Sequence, residues 1–188
     1  MGAKFYSESV LIFQKFGTRY FEKTEPILGV PKIVNPFYSS SFDWNQVKYV
    51  IIRNPKDVFI SALHTEYFNI KRIGSSKIIL ERMLDVVDGG GHYHPKQNEF
   101  LYHYWCDYKF NTVHISDLSK FTKFITGLEI TFTNSDTYLK FSEDITKEYT
   151  YDYFEKNNPQ EMKKLLDYVE EDLIWYNRLI RKSRLISF

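Results

Sequence analysis

Tyr49-Val50-Ile51-Ile52-Arg53-Asn54-Pro55-Lys56-Asp57-Val58-Phe59-Ile60-Ser61 is the stretch on which the fold turns. An unbroken apolar run ending on a charge is the pattern of a strand buried on both faces. Helix-start signals follow at once. Asn54 suits the N-cap, Pro55 the first helical position, and Asp57 the third, where a carboxylate meets the helix dipole. The spacing predicts a strand over 49–53 and then a helix to about Asn69. Upstream, Val10-Leu11-Ile12-Phe13 runs into Lys15-Phe16-Gly17-Thr18-Arg19, with a strand expected over 7–14 and a helix from near Thr18 that fades before Pro26. Strand, polar turn and helix start form the geometry that binds phosphate-like anions at the carboxyl ends of parallel strands. Two such turns close together suggest one ligand with two separated anionic groups.

The remaining chain reads as more of the same alternation. Residues 27–34 surround Pro31 and suit an edge strand. A loop rich in serine and aromatic residues covers 35–45. Helices are expected over 76–87 and 97–108, a brief strand over 112–115, and a helix from Ser116 or Asp117 to about Ile125. The final helix, Pro159 to roughly Arg181, carries Met162, Leu165, Leu166, Val169, Leu173 and Tyr176 along one stripe. Gly89-Gly90-Gly91 forms an unencumbered loop, and residues 128–150 give no clear pattern. The expectation is one α/β domain over residues 1–188 with a mostly parallel sheet.

Composition narrows the function classes. A net charge of +1 argues against a general nucleic-acid coat, so any anion site must concentrate charge locally. Aromatic residues make up 18% of the chain, supplying core bulk and rings able to stack on a base or sugar. Cys106 is the single cysteine, which rules out an internal disulfide and a cysteine-based zinc site. No signal peptide or membrane span is read, and a cytoplasmic location is expected, although an excised lumenal portion of a larger protein is compatible. Oligomeric state is not encoded legibly.

In the first turn Gly17 admits close backbone approach, Thr18 adds a hydroxyl donor, and Lys15 and Arg19 add charge. A kinase-type P-loop needs Gly-x-x-x-x-Gly-Lys-Ser/Thr, which this segment lacks. In the second turn Arg53 offers forked donors while Ser61, eight residues on, shares a helix face with Asp57, His64 and Thr65.

These residues resemble those of the PAPS-dependent sulfotransferases. Lys15-x-Gly-Thr looks like that family's 5′-phosphosulfate loop, and Arg53-Asn-Pro-Lys-Asp-Val-x-x-Ser61 like its 3′-phosphate motif. The resemblance is firm over about residues 10–68. Beyond it, His114-Ile115-Ser116-Asp117-Leu118 stands where the family often ends a strand in Glu-Asp/Asn-Leu, and His92-Tyr93-His94-Pro95-Lys96-Gln97 is similar to a His-Trp-x-Pro-Gln segment of the carbohydrate-modifying branch. Gln14 replaces the usual proline, Arg19 the usual small residue, and no histidine lies between the two motifs.

The resemblance implies a three-layer α/β/α, P-loop-like domain binding PAPS without metal. Lys15, Phe16, Gly17, Thr18, Arg19, Arg53 and Ser61 would hold the donor. A sulfuryl group would pass to a hydroxyl or amine, possibly of a saccharide, releasing 3′,5′-ADP. Lys15 would stabilise the leaving oxygen. The base is open among His94, His92 and His64, with Asp43 or Glu22 as carboxylate options; His103 and His114 read as helix and strand residues. Tyr38, Phe42, Trp44 and Tyr93 are either acceptor-stacking rings or core. Two other readings stay open: a non-catalytic PAPS- or PAP-binding protein, and a P-loop-type nucleotide kinase.

Overall fold

The computed structural model describes residues 3–13, 28–34, 36, 42–70, 76–87, 96–129, 151–184 and 186, with backbone alone at 64–70, 76, 85–87 and 151–152. It is an α/β structure around a five-stranded mixed sheet. The strands are β1 (Ala3–Tyr6), β2 (Val10–Phe13), β3 (Lys32–Val34), β4 (Tyr49–Ile52) and β5 (Asn111–His114), in the spatial order β3-β1-β2-β4-β5. The helices are α1 (Pro55–Ile70), α2 (Ser76–Val87), α3 (Gln97–Tyr108), α4 (Leu118–Thr126), α5 (Tyr151–Asn157) and α6 (Pro159–Lys182), with 3-10 turns at Trp44–Gln46 and Ile115–Asp117.

The sheet is less uniformly parallel than its sequence suggests. β2, β4 and β5 run parallel, but β1 is antiparallel to both β2 and β3. The residues before Val10 were expected to belong to one strand with it. Instead Ser7-Glu8-Ser9 forms a three-residue hairpin loop, with Ser9 at φ 62 and its N–H bonded to the Tyr6 carbonyl at 3.0 Å. A loop of that length normally closes with a left-handed third residue. The Ser9 carbonyl then accepts from both Lys48 N–H (3.0 Å) and Tyr49 N–H (3.1 Å), which fixes where β4 starts against β2.

β2 and β4 are buried along most of their length, as continuous apolar strands at the centre of a sheet should be. β3 is exposed on an edge, in keeping with its short length and preceding proline. The outer side of β5 pairs with the end of the chain. Thr112 donates its N–H to the Arg184 carbonyl (3.2 Å) and accepts from Ile186 N–H (3.1 Å), while its hydroxyl meets Ser183 Oγ at 2.8 Å.

Helices α1, α2, α3 and α6 pack together, with α6 touching the other three. α4 lies apart, its Phe121 ring edge-on to Tyr49 at 5.2 Å. Gly127 at φ 74 ends α4 as a left-handed cap, donating to the Lys123 carbonyl. Among the described residues no helix is long and apolar enough to cross a membrane.

α3 and α6 run side by side in the same direction: Asn98 meets Asp172, Tyr102 meets Trp175, and Thr112 beyond α3 meets Ser183 beyond α6. Lys96, the residue before α3, makes no side-chain cap. Asp172 does that work from 74 residues away, accepting from Asn98 N–H at 3.0 Å, and it also accepts from Glu99 N–H at 3.3 Å. Its other oxygen lies 2.6 Å from the Asn98 amide nitrogen. The residue is 4% exposed, and burial pushes its carboxyl up to about 7 against the opposing effect of those hydrogen bonds. A buried acid inside an otherwise apolar stripe was absent from the sequence reading.

The sign of the resulting linkage is set by the raised value. Between the ordinary carboxylate range and about 7 the folded chain holds a proton that the unfolded chain has released. Stability from this group therefore falls as pH rises through that window and is level above it, a span worth at most roughly 4 kcal/mol. Asp172→Asn should remove this slope. In urea unfolding, its stability relative to wild type should improve between about pH 4.5 and pH 7.5.

Candidate functional site

Parallel neighbours end at the same edge. The pairs Val10↔Tyr49 and Leu11↔Val50 align β2 with β4, so the chain leaves Phe13 and Ile52 side by side at the carboxyl edge. β5 joins them there, since Ile52 pairs with His114. The two sequence motifs therefore follow adjacent strand ends on one rim.

At the second motif the local chemistry is well defined. Asn54 caps α1: its carbonyl accepts from Val58 N–H (3.0 Å) and its Oδ1 from Lys56 N–H (2.9 Å). Pro55 has no N–H to offer. Of the N–H positions that a helix start leaves open, Pro55 therefore has none and that of Lys56 is already taken, while Asp57 brings a negative charge beside its own. This arrangement favours side chains over helix amides for anion capture here. Arg53 is half-buried at the strand end, and Ser61 is 7% exposed. Asp57, expected on the same face as Ser61, is exposed. Positions four apart differ by about 40° around a helix, enough to separate solvent from interior at a packed boundary.

α6 passes this start closely. Lys56 pairs with Glu170 at 3.3 Å, an exposed pair of little energetic weight. Tyr176 is buried; desolvation raises its hydroxyl above the ordinary value, and the charge of Asp57 adds to the effect.

Lys15, Phe16, Gly17, Thr18 and Arg19 lie outside the described residues, as do Glu22, Tyr38, His92, Tyr93 and His94. His64 falls within the backbone of α1, but its side chain lies outside them too. Asp43 is described and does not suit a base. It precedes the amino end of β4, on the rim opposite Arg53, and it caps the turn at Trp44. Its carboxylate accepts from the Asn45 N–H (3.0 Å), the Asn45 amide (3.0 Å) and the Gln46 amide (3.2 Å), which holds it below the usual range.

Of the two readings left open for the aromatic loop, packing applies to Trp44 and Phe42. Trp44 is 4% exposed and stacks on Tyr104 at 4.2 Å, with Phe42 edge-on at 5.3 Å. Both are packing residues near the start of β5, away from the carboxyl rim. Conversely, His114 was read as an ordinary strand residue and stands on that rim. Only the strand register reveals it. His103 sits on the outer face of α3 beside Trp175, at 5.2 Å.

No family model, curated protein or solved structure matches the chain.

Replacing the α1 cap tests the local account. Asn54→Ala should lower stability by about 1 kcal/mol in chemical denaturation, with m unchanged, because the Lys56 N–H loses its partner.

Proposed function

We propose that the protein is a PAPS-dependent sulfotransferase with a P-loop-like, three-layer domain, transferring a sulfuryl group to an acceptor hydroxyl or amine. The single observation that supports this reading best is the β2–β4 pairing, which sets the two strand ends that precede the motifs in sequence side by side on one rim. One ligand with two anionic groups fits that arrangement better than two unrelated ligands.

In this reading Arg53 grips the 3′-phosphate through its forked donors and Ser61 adds its hydroxyl. The missing N–H of Pro55 and the spent N–H of Lys56 favour such a side-chain clamp over an amide cradle at this turn. The same point weighs against the nucleotide-kinase alternative, as does the missing Gly-Lys-Ser/Thr. At the first turn Lys15, Thr18 and the backbone amides face the 5′-phosphosulfate. As the S–O bond to the leaving phosphate breaks, charge builds on the departing oxygen and the sulfonate oxygens. A preorganised donor there contributes about 3–4 kcal/mol to the transition state. The acceptor's proton goes to a base among His94, His92 and His64, and a saccharide remains the favoured acceptor class.

Thermal shift with PAP, AMP and ATP tests the reading. At a hundredfold excess over Kd, PAP should stabilise the protein by about 2.7 kcal/mol. The shift should vanish in Arg53→Ala, and AMP should give little. Equal shifts with AMP and PAP would remove the 3′-phosphate site. PAP binding without transfer to any of a panel of glycans and phenols would leave the non-catalytic binder.

A further inference from the structure

The rim carries a third strand end that neither motif uses. His114 is the last residue of β5 and pairs with Ile52, the residue immediately before Arg53. Its ring has a defined proton arrangement. Nδ1 accepts from Ser116 N–H at 3.2 Å and lies 2.8 Å from Ser116 Oγ, capping the Ile115–Asp117 turn. A backbone N–H can only donate, so Nδ1 holds a lone pair and the neutral ring carries its proton on Nε2. Among the described residues Nε2 has no hydrogen-bond partner, and the residue is only half-buried.

We propose that His114 is an anion-binding residue at the carboxyl rim, donating its Nε2–H to a phosphate- or sulfate-type oxygen held beside Arg53. Neighbouring strands lie about 4.8 Å apart, and His114 and Arg53 stand at the ends of two such neighbours on the same rim. The tautomer also excludes a role as a base through Nε2, because that nitrogen already carries the proton. The inference deepens the reading of the site given above and rests on it for the identity of the ligand, but not for the chemistry of the contact.

Two substitutions separate the ring's two jobs. Asn places an acceptor near Nδ1 and keeps the cap of the turn while removing the distal donor. Gln reaches to the place of Nε2 and keeps a donor while giving up the cap. His114→Asn should unfold at the wild-type midpoint yet bind PAP about tenfold more weakly, the usual cost of one hydrogen bond to a charged group. His114→Gln should recover most of that affinity despite a lower midpoint. Long-range proton–nitrogen NMR, with the ring assigned from His114→Asn, reads the tautomer directly in the free protein. The Nε2–H signal should then move on titration with PAP.

Wild-type affinity for PAP in His114→Asn would overturn the inference while leaving the sulfotransferase reading intact. So would a ring protonated on Nδ1 alone. If wild type ignores PAP but binds inorganic pyrophosphate or sulfate, and His114→Asn weakens that binding, the sulfotransferase reading fails and the role of His114 stands. An Nε2–H signal unmoved by all three anions overturns the role.

Discussion

Two N–H groups, those of Lys48 and Tyr49, converge on the carbonyl of Ser9, and the register they impose on β4 governs everything at the opposite rim. With that register, Phe13, Ile52 and His114 end level with one another. A slip of a single residue would turn every side chain of β4 over, exchanging one buried face for the other. Because Val50, Ile51 and Ile52 are all fully buried, the cost would fall less on burial than on shape. The hairpin loop therefore does more than reverse the chain: its left-handed third residue presents the carbonyl that sets β4 in place.

The helical side of the molecule is organised by α6, which meets α1, α2 and α3. Its contact with α3 has a polar centre. Asp172 satisfies the first amides of α3, but only by entering an apolar interior where its charge is disfavoured. Asn98 Oδ1, buried beside it, has no hydrogen-bond partner among the described residues. Burial is what favours the neutral form of Asp172, whereas the hydrogen bonds from Asn98 and Glu99 favour the ionised one.

Much of the local architecture is legible in the residues themselves. α2 and α3 have the boundaries that their periodicity predicts, and α6 runs one residue past its expected end. The Asn54-Pro55 start is legible because capping is a short-range interaction with few competitors. β1 escaped notice because Ala3-Lys4-Phe5-Tyr6 is too short and mixed to alternate, and it is held by pairing on both sides rather than by propensity. α5 is also brief and lies beside a stretch without pattern. Asp172 could not be found by stripe analysis, which treats an acid as a solvent-facing position. At the site, the Arg53 motif could be read locally. The rank of His114 could not, since it depends on which strand lies beside β4, and sixty residues of sequence say nothing of that directly. Trp44 and Phe42 could be read from sequence either as stacking rings or as core, and only the stacking of Trp44 on Tyr104 of α3, with Phe42 edge-on to Trp44, decides between the two.

The pairing of Thr112 with Arg184 and Ile186 has a bearing on what the sheet exposes. Without it the outer row of amides and carbonyls of β5 would lie open to a strand from another chain. The short segment after α6 is therefore a guard against misassembly as much as a part of the fold.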